Sequence, residues 1–114
     1  MKKLKAILVD DEFDSREILE NYIKKYCENV ELLALCGNIQ EGEEAIKVHQ
    51  PDLVFLDIEM PYGNGFDLLE KFDTIHFEVI FVTAFSNYAI KALNLSAAYY
   101  LLKPIDIDEL VEAV

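Results

Sequence analysis

The sequence predicts an α/β fold: a five-stranded parallel sheet with helices on both faces. Three observations carry that prediction. Apolar strand-like runs alternate with capped, helix-periodic segments five times along the chain. The run Leu53–Leu56 is apolar at every position, as in a strand buried on both faces. The runs also end in polar residues, Asp10-Asp11, Asp57, Thr83 and Lys103, at the carboxyl edge where open parallel sheets bind ligands. The 114 residues predict one domain, 1–114, long enough to bury a core without crosslinks.

Leu4–Val9 reads as a buried first strand ending in Asp10-Asp11-Glu12. Asp14 with Glu17 has the spacing of a capping box, and Ile18, Leu19, Tyr22, Ile23 and Tyr26 form one helical face after it. Val30–Cys36 is the second strand, closed by Gly37. Asn38 with Glu41 opens a helix to about His49, which Pro51 stops. After the central strand, Pro61, Gly63 and Gly65 punctuate a loop. A short helix runs from about Asn64 to Phe72, with apolar Phe66, Leu68, Leu69 and Phe72. Glu78–Thr83 is the fourth strand, Ser86 caps a helix to about Leu95, and Ala97–Leu102 is the fifth strand. Asp106 with Glu109 caps a last helix that is still running at Val114, so the chain is expected to be part of a longer protein.

Composition narrows the functions. Hydrophobic residues make up 53% of the chain, which excludes disorder. No apolar run has membrane-spanning length and no signal-peptide pattern opens the chain. A net charge of −12 repels phosphate backbones, so this segment is not expected to bind nucleic acid. Cys27 and Cys36 lack metal-ligand spacing. Free thiols in a reducing cytoplasm are the economical reading, with a disulfide as the open alternative. There is no Gly-Lys-Ser/Thr phosphate loop, and Leu68 stands where a dinucleotide loop around Gly63 and Gly65 needs its third glycine. His49 and His76 fall at helix ends leading into strands, on the opposite edge from the acids.

The strand ends carry the chemistry. Asp10, Asp11 and Asp57, brought together at one edge, repel one another and push one carboxyl towards protonation. A bound cation removes that conflict, and oxygen-only ligands with room for water suit Mg²⁺. With Lys103 added, three carboxylates balance one divalent ion and one ammonium. Such a site is built to hold a phosphoryl group on one carboxylate, with the Thr83 hydroxyl as a donor to its oxygens. A loop-capping Asp57, a strand-ending Thr83 and a solvated Lys103 are the plainer alternatives.

With those residues in place, the chain strongly resembles the receiver domains of two-component response regulators. The resemblance rests on Val9-Asp10-Asp11-Glu12, Leu56-Asp57-Ile-Glu-Met-Pro61 with Gly65, Val82-Thr83-Ala84 and Tyr100-Leu-Leu-Lys103-Pro104. It implies a doubly wound, flavodoxin-like sheet in the order 2-1-3-4-5 within three α/β/α layers. It implies Asp57 as phosphoacceptor, and Asp10, Asp11, Asp57 and the backbone carbonyl of Glu59 as Mg²⁺ ligands. Thr83 and Tyr100 resemble the switch pair, Lys103 the lysine that pairs with the phosphoryl group, and Lys103-Pro104 is expected to be cis. The implied partners are a sensor histidine kinase and a second copy, met through the fourth helix, fifth strand and last helix, where Tyr88, Tyr99 and Tyr100 crowd. The implied activity is Mg²⁺-dependent self-phosphorylation and autodephosphorylation, without the turnover of an enzyme.

Ser86-Asn-Tyr88-Ala89-Ile-Lys-Ala92-Leu, followed by Tyr-Leu-Leu-Lys-Pro-Ile, resembles the LytTR-type (LytR/AlgR-like) subgroup, whose regulators add a DNA-binding domain and control transcription. No such domain is in this sequence. Tyr99 and Ser96 depart from the family pattern, which commonly has an acid and a glycine there. Three rival readings fit the residues less well. A Mg²⁺ phosphatase of the haloacid-dehalogenase type lacks its Asp-x-Asp on the first strand. An interaction module without phosphate chemistry would have lost Asp57, Lys103 or the acidic pair. A flavin protein would cradle phosphate where this chain is acidic.

Overall fold

The computed structural model describes residues 3–61 and 63–114. The strands of the main sheet are β1 (Leu4–Val9), β2 (Val30–Cys36), β3 (Leu53–Leu56), β4 (Glu78–Thr83) and β5 (Tyr99–Leu102). The helices are α1 (Phe13–Tyr26), α2 (Ile39–His49), α3 (Gly65–Glu70), α4 (Ala89–Asn94) and α5 (Ile107–Ala113). The main strands pair in parallel in the order β2-β1-β3-β4-β5, as the family resemblance implied.

Alternation along the strands feeds two cores. Ile7, Val9, Val54, Leu56, Val79 and Phe81 point to the side covered by α2, α3 and α4 and meet Ile46, Phe66, Leu68 and Ala92. Ala6, Leu8, Leu53, Phe55, Ile80 and Val82 point to the side covered by α1 and α5 and meet Leu19, Ile23 and Leu110. β3 lies between β1 and β4 with all four residues buried, which is why its sequence is apolar throughout.

Several local expectations need correction. α1 starts at Phe13, before the predicted Asp14–Glu17 box, and Glu12 caps it without a side-chain bond. Asp10 has folded back to accept from the Glu12 amide at 3.0 Å, a local side-chain-to-backbone bond that organises the chain just before the helix. Its buried face is narrower than predicted: Leu19 and Ile23 are buried, whereas Ile18 is 49% exposed and Tyr26 40%. α4 is capped by Tyr88, with no side-chain bond, so Ser86 does not cap it. β5 begins at Tyr99, two residues later than predicted. Asn38 caps α2 as expected by accepting from the Glu41 amide at 2.8 Å, but Glu41 reaches back to the Gly37 amide. Asn64 and Asp67 form a full capping box on α3 that the sequence reading did not single out. Asp106 caps α5 through the amides of Asp108 and Glu109.

Cys27 and Cys36 are buried and free. Burial raises both thiols, and together with Glu41 it pushes Cys36 to about 11. His49 and His76 are exposed. Among the described residues no helix is long and apolar enough to cross a membrane.

Candidate functional site

Strand register assembles the site. Val9 pairs with Leu56, so Asp10 and Asp57 leave neighbouring strands side by side. The Asp57 amide donates to the Val9 carbonyl at 2.9 Å and the Asp10 amide to the Cys36 carbonyl at 3.0 Å, so both acids are anchored as strand extensions. Thr83 pairs with Leu102, and the Lys103 amide donates to the Thr83 carbonyl at 2.8 Å. Lys103 thus emerges one position past the sheet. Its peptide to Pro104 is cis, as expected.

The Lys103 ammonium binds both acids, donating to Asp10 Oδ2 at 2.8 Å and to Asp57 Oδ2 at 3.2 Å. Its third partner is Ser15 Oγ at 3.2 Å. The other oxygen of Asp57 accepts from the Ile58 amide at 2.7 Å. Asp10, Asp11 and Asp57 each offer a carboxylate oxygen, all within 4.8 Å of one another. Three carboxylates against one ammonium leave two negative charges, which one divalent cation neutralises. Oxygen-only donors with Asp11 half-exposed fit a hard cation that keeps part of its water.

Electrostatics follow from this crowding. Asp57 and Asp10 are 5% and 3% exposed. Burial pushes the Asp57 carboxyl up; Lys103 pulls it down, Asp10 adds to the rise, and the net displacement is upward. Burial alone would lower Lys103, but its bond to Asp10 and the charges of Asp10 and Asp57 outweigh that and hold the ammonium above its ordinary value. A buried acid raised beside a lysine is not a simple ion pair. Burial is the larger cause of the rise, and the neighbouring Asp10 carboxylate adds to it.

Thr83 is fully buried, and its Oγ1 accepts from the Phe85 amide at 3.4 Å. The Tyr100 hydroxyl donates to the Phe85 carbonyl, and its ring lies 6.1 Å from Phe81. Burial raises the Tyr100 hydroxyl. Tyr99 and Tyr100 alternate across β5, Tyr99 on the α1/α5 core and Tyr100 on the other, so the three tyrosines do not share one face. Glu59 opens a two-residue antiparallel ladder, Glu59–Met60 with Gly63–Asn64, and its exposed side chain accepts from Tyr88 Oη at 3.1 Å.

Gly65 closes the loop under Asp57. A Cβ there would lie 2.5 Å from the Asp57 carbonyl oxygen and 3.0 Å from Leu56 Cγ. The Gly65 amide donates to the Ile58 carbonyl at 2.8 Å. Space, not backbone freedom, requires glycine at that position.

Sequence reasoning placed Asp10, Asp11, Asp57, Thr83 and Lys103 at this edge, and they are there. It missed Ser15, and also Arg16, whose Nη1 donates to the Asp10 carbonyl at 2.7 Å. Their one signal was a position in the first turn of a helix that follows the acidic pair.

Fold and site together define a class of protein: a doubly wound α/β domain that gathers acids and one lysine over its carboxyl edge, without a glycine cradle for a nucleotide. The chain matches the response regulator receiver domain family over residues 6–114. It is 40% identical over 112 residues, 97% of its length, to an uncharacterized response regulatory protein of Vibrio cholerae, covering 47% of that protein. It is 40% identical over 104 residues to the transcriptional regulatory protein BtsR of Escherichia coli K12, covering 90% of this chain and 43% of that protein. Its structure is similar to the crystal structure of a LuxR-family DNA-binding response regulator from Staphylococcus aureus, with a TM-score of 0.86, 32% identity, and 96% of this chain and 94% of that chain covered. The chain belongs to the response regulator receiver domain family. It spans less than half the length of these curated relatives.

Proposed function

We propose that the chain accepts a phosphoryl group on Asp57 from a phosphohistidine of a sensor histidine kinase and passes the change to a surface at α4, β5 and α5. The observation that supports this best is Lys103 bridging Asp10 and Asp57 at one point of the sheet edge. Phosphoryl transfer needs positioning and charge neutralisation more than covalent help, and the edge offers both. A carboxylate oxygen of Asp57 attacks phosphorus, the phosphorus–nitrogen bond breaks, and its electron pair returns to the imidazole, which takes up a proton. The product is an aspartyl phosphate; attack by water on phosphorus breaks the bond to the Asp57 oxygen, releases inorganic phosphate and returns the carboxylate.

Asp10, Asp11, Asp57 and the Glu59 carbonyl would hold Mg²⁺. When bound, it would supply positive charge that keeps these carboxylates ionised and offsets charge on the phosphoryl oxygens. Lys103, already at Asp57, pairs with the added charge. The Thr83 hydroxyl turns towards the phosphoryl oxygens, loosening its hold on Phe85, and Tyr100 follows through the Phe85 carbonyl. The exposed Ile90, Leu93 and Leu102 would then join two copies. The subgroup pattern at Ser86–Leu93 supports a LytTR-type regulator of transcription acting in the cytoplasm, with the DNA-binding part outside this chain.

The test is labelling with a small phosphodonor, with and without chelator, followed by a measurement of size. Mg²⁺-dependent labelling with a shift towards dimer supports the reading. Labelling unaffected by chelator removes the metal role, and an unchanged size removes the dimer.

A further inference from the structure

We propose that Tyr88 is a positioning residue whose hydroxyl, donating to Glu59, latches the amino end of α4 to the loop that follows Asp57. α4 has six residues, far below the roughly 12–15 that a helix needs to persist in water on its own. Its hold on the domain is therefore tertiary, and it is slight. Of its residues Ala92 alone is buried, while Ile90 and Leu93 are 75% and 70% exposed. No side chain caps its start.

What restrains it gathers at the amino end. The Tyr88 hydroxyl reaches Glu59 Oε2 at 3.1 Å, across 29 residues of chain. The Tyr88 ring lies 5.9 Å from that of Phe66 and 6.5 Å from that of Phe85. Lys91 Nζ sits 4.4 Å over the Phe66 ring. The Tyr88 carbonyl in turn accepts from the Ala92 amide at 3.0 Å, so the latch continues into the helix. Glu59 and Phe66 both belong to the stretch after Asp57, the first two residues beyond it and the second in the opening turn of α3.

The segment between Thr83 and Tyr88 is thus gripped from three sides. Thr83 Oγ1 holds the Phe85 amide, the Tyr100 hydroxyl holds the Phe85 carbonyl, and Glu59 holds Tyr88. The third grip ties α4 to the acceptor loop through the Tyr88 side chain. Its physical effect is to favour the α4 position seen here over alternatives in which the helix shifts or frays. A single hydrogen bond to a solvent-exposed carboxylate biases such an equilibrium by roughly two- to fivefold. The consequence for signalling rests on the function proposed above: the latch sets how readily α4 answers phosphorylation.

Backbone hydrogen exchange tests the latch on the unmodified protein, with no phosphodonor present. Tyr88→Phe keeps the ring and removes the hydroxyl. The expected result is exchange roughly two- to fivefold faster in 89–96 and unchanged in β1 and β3. Glu59→Ala should reproduce it, Glu59→Gln should stay near native because the amide oxygen still accepts, and Tyr88→Phe with Glu59→Ala should exchange no faster than either alone. Native exchange in α4 of Tyr88→Phe overturns the latch. Equal acceleration across the whole chain, or full addition of the two single effects, also overturns it. Because this measurement needs no phosphorylation, its failure leaves the Asp57 reading standing, and failure to label Asp57 leaves the latch standing.

Discussion

Replacing Gly65 with alanine is a direct challenge to how the acceptor loop is built. The added Cβ would sit 2.5 Å from the Asp57 carbonyl oxygen, where real contacts do not come inside 3.0 Å. The obstacle is backbone, so no rotamer change relieves it. The Asp57 amide donates a hydrogen bond to the Val9 carbonyl of β1, and the Gly65 amide donates one to the Ile58 carbonyl. One of those segments must move. Overpacking of this kind costs about 1–3 kcal/mol, and stretching the Gly65–Ile58 bond adds up to about 1 kcal/mol. Alanine's better helix propensity returns at most about 1 kcal/mol. The net expectation is a loss of about 2 kcal/mol, close to 8 °C in Tm for a domain of this size. Urea unfolding followed by circular dichroism measures it. Gly42→Ala is the comparison: its Cβ would meet only side chains, Val9 at 3.1 Å and Leu68 at 3.2 Å, which need give by only a few tenths of an ångström, so its cost should be smaller than that of Gly65→Ala. A Gly65→Ala protein within about 0.5 kcal/mol of the parent, below the range of about 1–3 kcal/mol expected of overpacking, would refute the steric reasoning.

Two further outcomes follow from the site and one from the turn after α4. Asp57 has its carboxyl raised on folding, so the folded state favours the proton, and stability falls as pH rises from about 4 through the raised folded value. Asp57→Asn should therefore melt higher than the parent at pH 7, with the gap closing near pH 4 in a pH series of thermal melts. Lys103 has its ammonium raised, so its contribution is complete at neutral pH and is lost only as pH rises through the folded value; Lys103→Met should cost about 3–5 kcal/mol at pH 7 and less when Asp57 is also Asn. Ser96 holds φ at 62°, a conformation that suits glycine, so Ser96→Gly should gain about 0.5 kcal/mol once the looser unfolded chain is counted, measurable as a small rise in urea midpoint.

Most of the fold was legible because apolar runs with clear stops mark buried parallel strands. Leu4–Val9, Val30–Cys36, Leu53–Leu56 and Glu78–Thr83 all have the predicted ends. Helix starts were less legible, since a capping pattern is local and its outcome is not. Asp14 and Glu17 have the right spacing, yet Asp10 orders the chain ahead of them. The left-handed backbone at Ser96 favours the glycine that the family pattern commonly has there, and nothing in the structure explains the serine. Within the site, polar residues at strand ends were visible because a polar group after a buried run needs a partner. Lys103 and Ser15 are 88 residues apart, and Tyr88 and Glu59 are 29 apart. No spacing rule in one sequence joins such pairs; only the sheet register does.

The central claim is that Asp57 is the residue that takes the phosphoryl group. Incubation with a small phosphodonor and Mg²⁺, followed by mass analysis of peptides, locates the added group. The prediction is one phosphoryl group on the peptide that holds Asp57, and none on the Asp57→Asn protein, which stays folded. Labelling of Asp57→Asn as fast as the parent, or a phosphoryl group found on Asp10 or Asp11, would contradict the claim.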